Sequence, residues 1–326
     1  MHKLKSYIWI LIGGVVLLIL VAPSFLSQPA SYIDIKSIGA VAPGENGHIL
    51  GTDTIGRDVF AGIISGARVS LIIAFISVLT SLFLGLIINL LTSYLGNSRI
   101  RVNAYQCIAI IILGFIFYYY IFIAISGSWL LKLVLTIIGI YLSYLLLSFL
   151  SDKGKSLFYI PMDTIGQKSY ELFRAVPKLI LLLIFIGLTP KNNIWIISLV
   201  IGVLLWPLFY RYIRLEILSE KGKDRFSSLR NLGYSDLRII FSDFLPTMLP
   251  VLSTPFIFAF IGVIFLEANL SFLGFGLSNE VTWGTLLAEA KRDTSAWWLV
   301  IFPGACLFIL FFILNSWLKE EEREFL

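Results

Sequence analysis

Charge is scarce in this chain: Asp, Glu, Lys and Arg make up 14% of 326 residues, against 58% hydrophobic residues. That is too little to solvate a soluble domain of this size, and the mean hydropathy of +0.90 points the same way. Cysteine and histidine are almost absent, with two of each. Cys107 and Cys306 sit far apart inside apolar runs, which argues against a disulfide framework or a metal pair and leaves them as packing residues. His2 and His48 have no Cys or Glu at metal-ligand spacing, so no metal site is legible. The apolar runs also lack any Ser/His, Cys/His or metal-ligand constellation. An intramembrane enzyme using Glu267, Asp163 or Glu171 as acid or base would therefore be missing the nucleophile–base pair that catalysis needs. Gly154-Lys155-Ser156 resembles the end of a phosphate-binding loop, but Phe149 stands where the loop requires glycine. Nucleotide chemistry has to come from another chain, and nucleic acid is not among the expected partners.

What the chain does have is long apolar runs. They fall at about 8–26, 69–95, 104–126, 129–150, 176–190, 194–212, 247–270 and 297–318, each close to the length that crosses a hydrocarbon core of about 30 Å as a helix. The reading is an all-α, polytopic membrane protein with about eight spans, the fifth being the shortest. Basic residues set the expected orientation, because they collect on the cytoplasmic side of short loops. With both termini inside, 18 of the 25 lysines and arginines fall on inner segments and six on outer ones. Trp129, Trp195, Trp283 and Trp297 then lie at or near outer boundaries, where interfacial aromatics gather. The expected location is a membrane that the chain crosses several times. The alternative reading of the first run as a signal peptide meets a poor cleavage pattern in PSFLSQPA.

Four segments interrupt the apolar pattern. Arg225–Pro246, RFSSLRNLGYSDLRIIFSDFLP, repeats its apolar residues at three- to four-residue spacing except across Gly233, where two short helical pieces can meet. Gly51–Leu71, GTDTIGRDVFAGIISGARVSL, gathers Asp53, Arg57, Asp58 and Arg68 just before and within the approach to the second span. Leu266–Gly276 reads LEANLSFLGFG and is followed by Thr282-Trp283-Gly284. Trp206–Ser219 carries a span out through Arg211 and Arg214.

In this order and at these separations the segments resemble the inner-membrane permease subunit of the dipeptide, oligopeptide and nickel class of ABC importers, in its second-permease form. The resemblance covers roughly 1–98 and 156–318. It implies the type I importer transmembrane fold, a six-span core to which an inserted helical hairpin at 99–155 is added. The implied division is an N-terminal span and outer segment at 1–68, a core at 69–98 and 156–326, and a cytoplasmic coupling loop at 213–246. The resemblance also implies the partners: a second permease, one or two ATPase subunits that hold ATP and Mg, an extracytoplasmic substrate-binding protein and the lipid bilayer. No cofactor is expected in this chain.

By the same resemblance the coupling loop fits a groove in the ATPase through Phe226, Ser227, Ser228, Leu229, Leu232, Gly233, Asp236, Asp243, Leu245 and Pro246. The chain departs from the family here. Ser227-Ser228-Leu229 replaces the usual Glu-Ala-Ala, and Asp243 stands where a His is common. These changes leave open an exporter subunit or membrane scaffold with altered ATPase coupling. Glu267, with Asn269 and Ser271, is expected either to face the pathway or gate or to make a structural contact. Asp53, Arg57, Asp58 and Arg68 are expected either to receive the binding protein or to hold their segment in place by ion pairs.

Overall fold

A computed structural model describes residue 14 and residues 29–94, 96–97, 101–103, 157–187, 193–221, 228–229, 231–249, 251–277 and 279–325. Two compact units divide the chain, Met1–Asn89 with Ser169–Leu326, and Leu90–Lys168.

The first unit is built on long apolar helices. α1 (Val59–Asn89), continuing into a π-helical turn at Leu90–Tyr94, supplies one candidate span. The others come from α4 (Ile194–Lys221), α7 (Ser253–Phe272) and α9 (Trp298–Phe325). Between the units' boundaries and α4 lie α2 (Met162–Ala175) and α3 (Lys178–Gly187). The fifth expected span, 176–190, corresponds to α3, whose 10 residues reach only about 15 Å at 1.5 Å per residue. Pro177 separates it from α2, because proline has no N–H to continue the helical ladder. Expected spans at 8–26, 104–126 and 129–150, with Trp129 and Cys107, lie outside the described residues.

One boundary differs from expectation. α1 opens at Val59 rather than 69, because Asp58 accepts a hydrogen bond from the Ala61 amide at 2.9 Å and starts the helix early. The approach to the second span is therefore mostly helix. In the second unit, β1 (Arg101–Asn103) pairs antiparallel with β2 (Leu157–Tyr159), Val102 opposite Phe158. This short ribbon is the one departure from helix among the described elements. Asn97 and Thr164 of the same unit bond reciprocally, both at 3.2 Å.

α1 and α4 run parallel and form the closest helix pair. Ser77 Oγ donates to Ser198 O at 2.9 Å, and Asn89 Nδ2 donates to Tyr210 O at 2.7 Å further along both helices. Small residues let the backbones meet: a Cβ on Gly85 would lie 2.8 Å from Phe209 Cβ, and one on Gly202 would lie 2.7 Å from Ser77 O. With no hydrophobic driving force between helices in lipid, such close packing and interhelical hydrogen bonds hold them together. Around this pair, Phe209, Tyr210, Phe244, Phe260 and Met248 are fully buried. Phe173 and Tyr170 of α2 pack on Trp206 and Tyr210 of α4. α7 is the most enclosed span, whereas α9 turns Phe308, Ile309 and Phe312 outward.

After α4 come two one-turn helices, α5 (Asp236–Ile239) and α6 (Leu245–Met248), joined by a π-helical turn at Ile240–Phe244. α8 (Trp283–Glu289) lies between α7 and α9 and packs against α1, α7 and α9. The Trp298 end of the bundle, with α8 and residues 30–58, is thus opposite the Gly233 end, with α5 and α6.

Candidate functional site

Glu267 lies near the C-terminal end of α7 and is 4% exposed. Its carboxylate accepts three hydroxyl hydrogen bonds: from Ser271 at 2.8 Å, Thr282 at 2.7 Å and Ser70 at 3.3 Å. Ser271 arrives by helical spacing, four residues along the same helix. Thr282 is also the N-cap of α8, where it accepts from the Thr285 amide and its own amide donates to Thr285 Oγ1. One carboxylate therefore ties α1, α7 and the start of α8 together, and Trp283 Nε1 adds a bond to Ile63 O at 3.0 Å. Asn269 is exposed and donates to Phe265 O, so of the three residues grouped in sequence only Glu267 and Ser271 meet.

Of the charged residues of 51–68, Asp53, Arg57 and Asp58 are occupied within the chain. Asp53 is fully buried and accepts from the amides of Ile55 and Arg57, while Arg57 Nε donates to its other oxygen at 2.7 Å. Arg57 also reaches Glu289 at 3.6 Å, and Glu289 accepts from Thr54 Oγ1 and pairs with Arg292. Trp298 Nε1 donates to Thr52 O at 2.9 Å. Asp58 sits 2.6 Å from His48 Nδ1. Arg68 stands apart, exposed on α1 and with no ion pair among the described residues.

His48 is the residue that sequence reasoning passed over here. Its second nitrogen lies 3.4 Å from Asp34, which caps the 3-10 turn Ile35–Ser37 by accepting from the Lys36 amide and the Ser37 hydroxyl. The Asp58 hydrogen bond first, then Asp34, raises the His48 pKa above its ordinary 6.5 despite partial burial. The Lys36 amide and Ser37 hydroxyl, with help from His48, lower that of Asp34. Ser70, Thr282 and Glu289 were likewise invisible as site residues, because their partners are distant in sequence or in other segments.

At the other end, Phe226 and Ser227 lie outside the described residues. Ser228 and Leu229 are helical, and the turn closes with Leu232 N donating to Ser228 O and Tyr234 N to Leu229 O. Gly233, at φ +82°, holds the left-handed conformation this turn requires. Leu232 is 72% exposed at its tip. Beyond it the Arg238 guanidinium stacks 4.5 Å over the Tyr234 ring, and Ser235 Oγ accepts from the Arg238 amide as α5 opens at Asp236. Ile239, Phe244 and Met248 are buried and anchor the segment. The second helical piece is not a continuous α-helix, because the chain widens into the π turn that contains Asp243. Leu245-Pro246 then begins α6, with proline in its first turn. Thr247 Oγ1 donates to the carbonyls of Asp243 and Phe244.

Among the described residues no cluster of three or more His, Cys, Asp or Glu side chains is placed to hold a metal ion. The fold defines a helical, multi-pass membrane protein. Residues 160–321 match the family of binding-protein-dependent transport system inner membrane components, and the chain belongs to it. It is similar to the oligopeptide transport system permease protein OppC of Lactococcus lactis subsp. lactis (strain IL1403), 25% identical over 292 residues that cover 89% of this chain and 78% of that protein. The OppC of subsp. cremoris (strain SK11) is 24% identical over the same length and shares. A Brucella suis biovar 1 (strain 1330) protein is 25% identical over 311 residues, covering 94% and 81%.

The chain is thus the permease subunit of an ATP-driven importer rather than an enzyme, and the exporter and scaffold alternatives give way to import. ATP hydrolysis belongs to separate ATPase subunits, which together with a substrate-binding protein are its partners. Its place is the inner membrane, which it crosses more than once.

Proposed function

We propose that this chain imports peptides or closely related solutes together with a second permease, and that segment 225–246 docks on an ATPase that holds ATP and Mg. The observation that carries the docking assignment is an exposed Leu232-Gly233 tip on a base anchored by Ile239, Phe244 and Met248. An apolar knob that projects from a buried base suits a groove in a partner subunit. The peptide assignment rests on the relatives' names, oligopeptide permeases on both Lactococcus proteins.

In this reading both termini and the Gly233 end are cytoplasmic, and the Trp298 end faces out. A binding protein delivers solute to the outer end, closure of one or two ATPase subunits pulls on segment 225–246, and the spans alternate between inward-open and outward-open states. Glu267 with Ser271 closes the outer part of the path by holding α1, α7 and α8 together. Asp53, Arg57 and Asp58 keep residues 30–58 in place.

Affinity purification in mild detergent with a non-hydrolysable ATP analogue tests the assignment. Recovery of a second permease and ATPase, lost on deletion of Leu232 to Asp236, is the expected result. Recovery of the chain without either partner, or unchanged recovery after the deletion, overturns the docking assignment. Uptake of a labelled peptide mixture by cells, abolished by loss of this chain, tests the solute class.

A further inference from the structure

We propose that α7 and α9 hold one anionic phospholipid on their outward face, with an acyl chain in the hollow beside Gly304 and the phosphate on Lys291. Such a site requires only that the two helices span the membrane, whichever end faces out and whatever the solute.

The hollow has a volume of about 370 Å³ and is lined by Phe265 of α7 and by Gly304, Leu307, Phe308 and Phe311 of α9. No polar side chain belongs to that lining. Glycine leaves the space open: a Cβ on Gly304 would meet nothing within 4 Å.

Both helices carry this face to the same end of the bundle. On α7, Phe272 follows Phe265 by seven residues, which is two helical turns and about 10 Å along one side. On the other helix, Ile301 and then Trp297, just before α9, precede Gly304 at the same kind of spacing. Phe272, Ile301 and Trp297 are all exposed. There the exposed Lys291 lays its ammonium 3.6 Å over the Phe272 ring and donates to the Phe272 carbonyl. A ring face and a carbonyl hold that ammonium without neutralising it. Among the described residues no carboxylate lies within ion-pair distance of Lys291: Glu289 pairs with Arg57 and Arg292, and Asp293 accepts from the amide and hydroxyl of Ser295.

Depth and charge together select the occupant. The headgroup layer is about 5–8 Å deep on each side of a hydrocarbon core of about 30 Å, so a phosphate level with Lys291 sends its acyl chains to the hollow further in. A lone cation beside an exposed tryptophan at this boundary suits an anionic head group. A helix fits less well, because one turn with its side chains, 5.4 Å long and 10–12 Å wide, fills about 400–600 Å³. An acyl chain is slender and gains from every methylene it buries. A free phosphate or a peptide carboxylate would meet Lys291 and leave the hollow unfilled.

The test uses the chain assembled with its partner subunits, in nanodiscs of phosphatidylcholine doped with phosphatidylglycerol that carries a diazirine in one acyl chain. Irradiation is expected to label Phe265 and residues 304–311, mapped by mass spectrometry. Labelling should be about fivefold stronger than with a phosphatidylcholine probe of the same chains, the attraction of one lysine for an anionic lipid. Lys291→Gln, which keeps a donor for the Phe272 carbonyl, is expected to bring the two probes level. Gly304→Phe is expected to lower labelling by both probes about tenfold or more, since two methylenes shut out of the hollow carry that factor. The unaltered chain and Lys291→Gln decide the matter should Gly304→Phe not assemble. Equal labelling by the two probes in the unaltered chain, label elsewhere on the bundle, or label unchanged in an assembled Gly304→Phe complex overturns the site. With benzoylphenylalanine at Phe308, an adduct to the second permease or to another segment of this chain in place of lipid would show the hollow to be a protein seam, and overturns it as well.

Discussion

At the Trp298 end, polar side chains join segments that are far apart in the chain: Ser70 to Glu267, Thr282 to Glu267, Thr54 and Arg57 to Glu289, Trp298 to Thr52. At the Gly233 end, local contacts such as Arg238 on Tyr234 and Ser235 shape the tip, while apolar anchors at Ile239, Phe244 and Met248 fasten it. Directional hydrogen bonds fix both distance and angle, so the first end behaves as a welded cap. Apolar anchoring is non-directional and tolerates small rotations, which suits a segment that has to transmit the motion of another subunit.

The contrast is broken most severely at an anchor. Phe244→Ala removes a fully buried ring and should cost about 3–5 kcal/mol, read as a lower thermal transition of the purified complex in detergent. Leu232→Asp should leave that transition in place yet weaken ATPase association about 30-fold, or ~2 kcal/mol, measured by titrating the ATPase onto the chain in nanodiscs. Glu267→Ala strands the Ser70 and Thr282 hydroxyls and should cost about 1–3 kcal/mol, with Glu267→Gln milder because it retains an acceptor. Amide exchange in Leu273–Trp283 should rise in the Ala variant, and no change there would argue against the welded cap.

The smallest effect is the pH response of residues 30–58. His48 has its pKa raised in the folded chain, so its contribution is complete below 6.5 and is lost as pH rises through the folded value. Asp34 has its pKa lowered, so its contribution is complete above 3.8 and is lost as pH falls through its folded value. Protection of amides in this segment, taken relative to their intrinsic base-catalysed exchange, should thus be greatest between those limits and fall on the alkaline side. His48→Ala should remove the alkaline limb.

Much of the bundle was legible because a span must be long, apolar and nearly free of charge, and α4, α7 and α9 fall close to the runs that satisfy this. The bend at Gly233 was legible for a local reason: the apolar spacing breaks there. Glu267 and Ser271 share a helix face, so their meeting followed from a four-residue interval. Ser70 and Thr282 did not follow, since 197 and 15 residues separate them from Glu267 and no periodicity relates them. His48 was set aside as a metal ligand without partners, whereas two aspartates from other turns approach it. The π turn at Ile240–Phe244 keeps helical composition and so left no mark in the sequence.

The pairing of α1 with α4 has a consequence for biosynthesis. Asn89 finds the Tyr210 carbonyl 121 residues later, which at about 5–20 residues per second is a wait of roughly 6–24 s. Ser77 waits equally long for Ser198. α1 therefore leaves the ribosome before the carbonyls that Ser77 and Asn89 reach on α4 exist, and Asn89 meanwhile has the Gly85 carbonyl of its own helix, 3.1 Å away. A substitution that made α1 less apolar would be felt first in that interval, as failed insertion, before it was felt in the finished bundle.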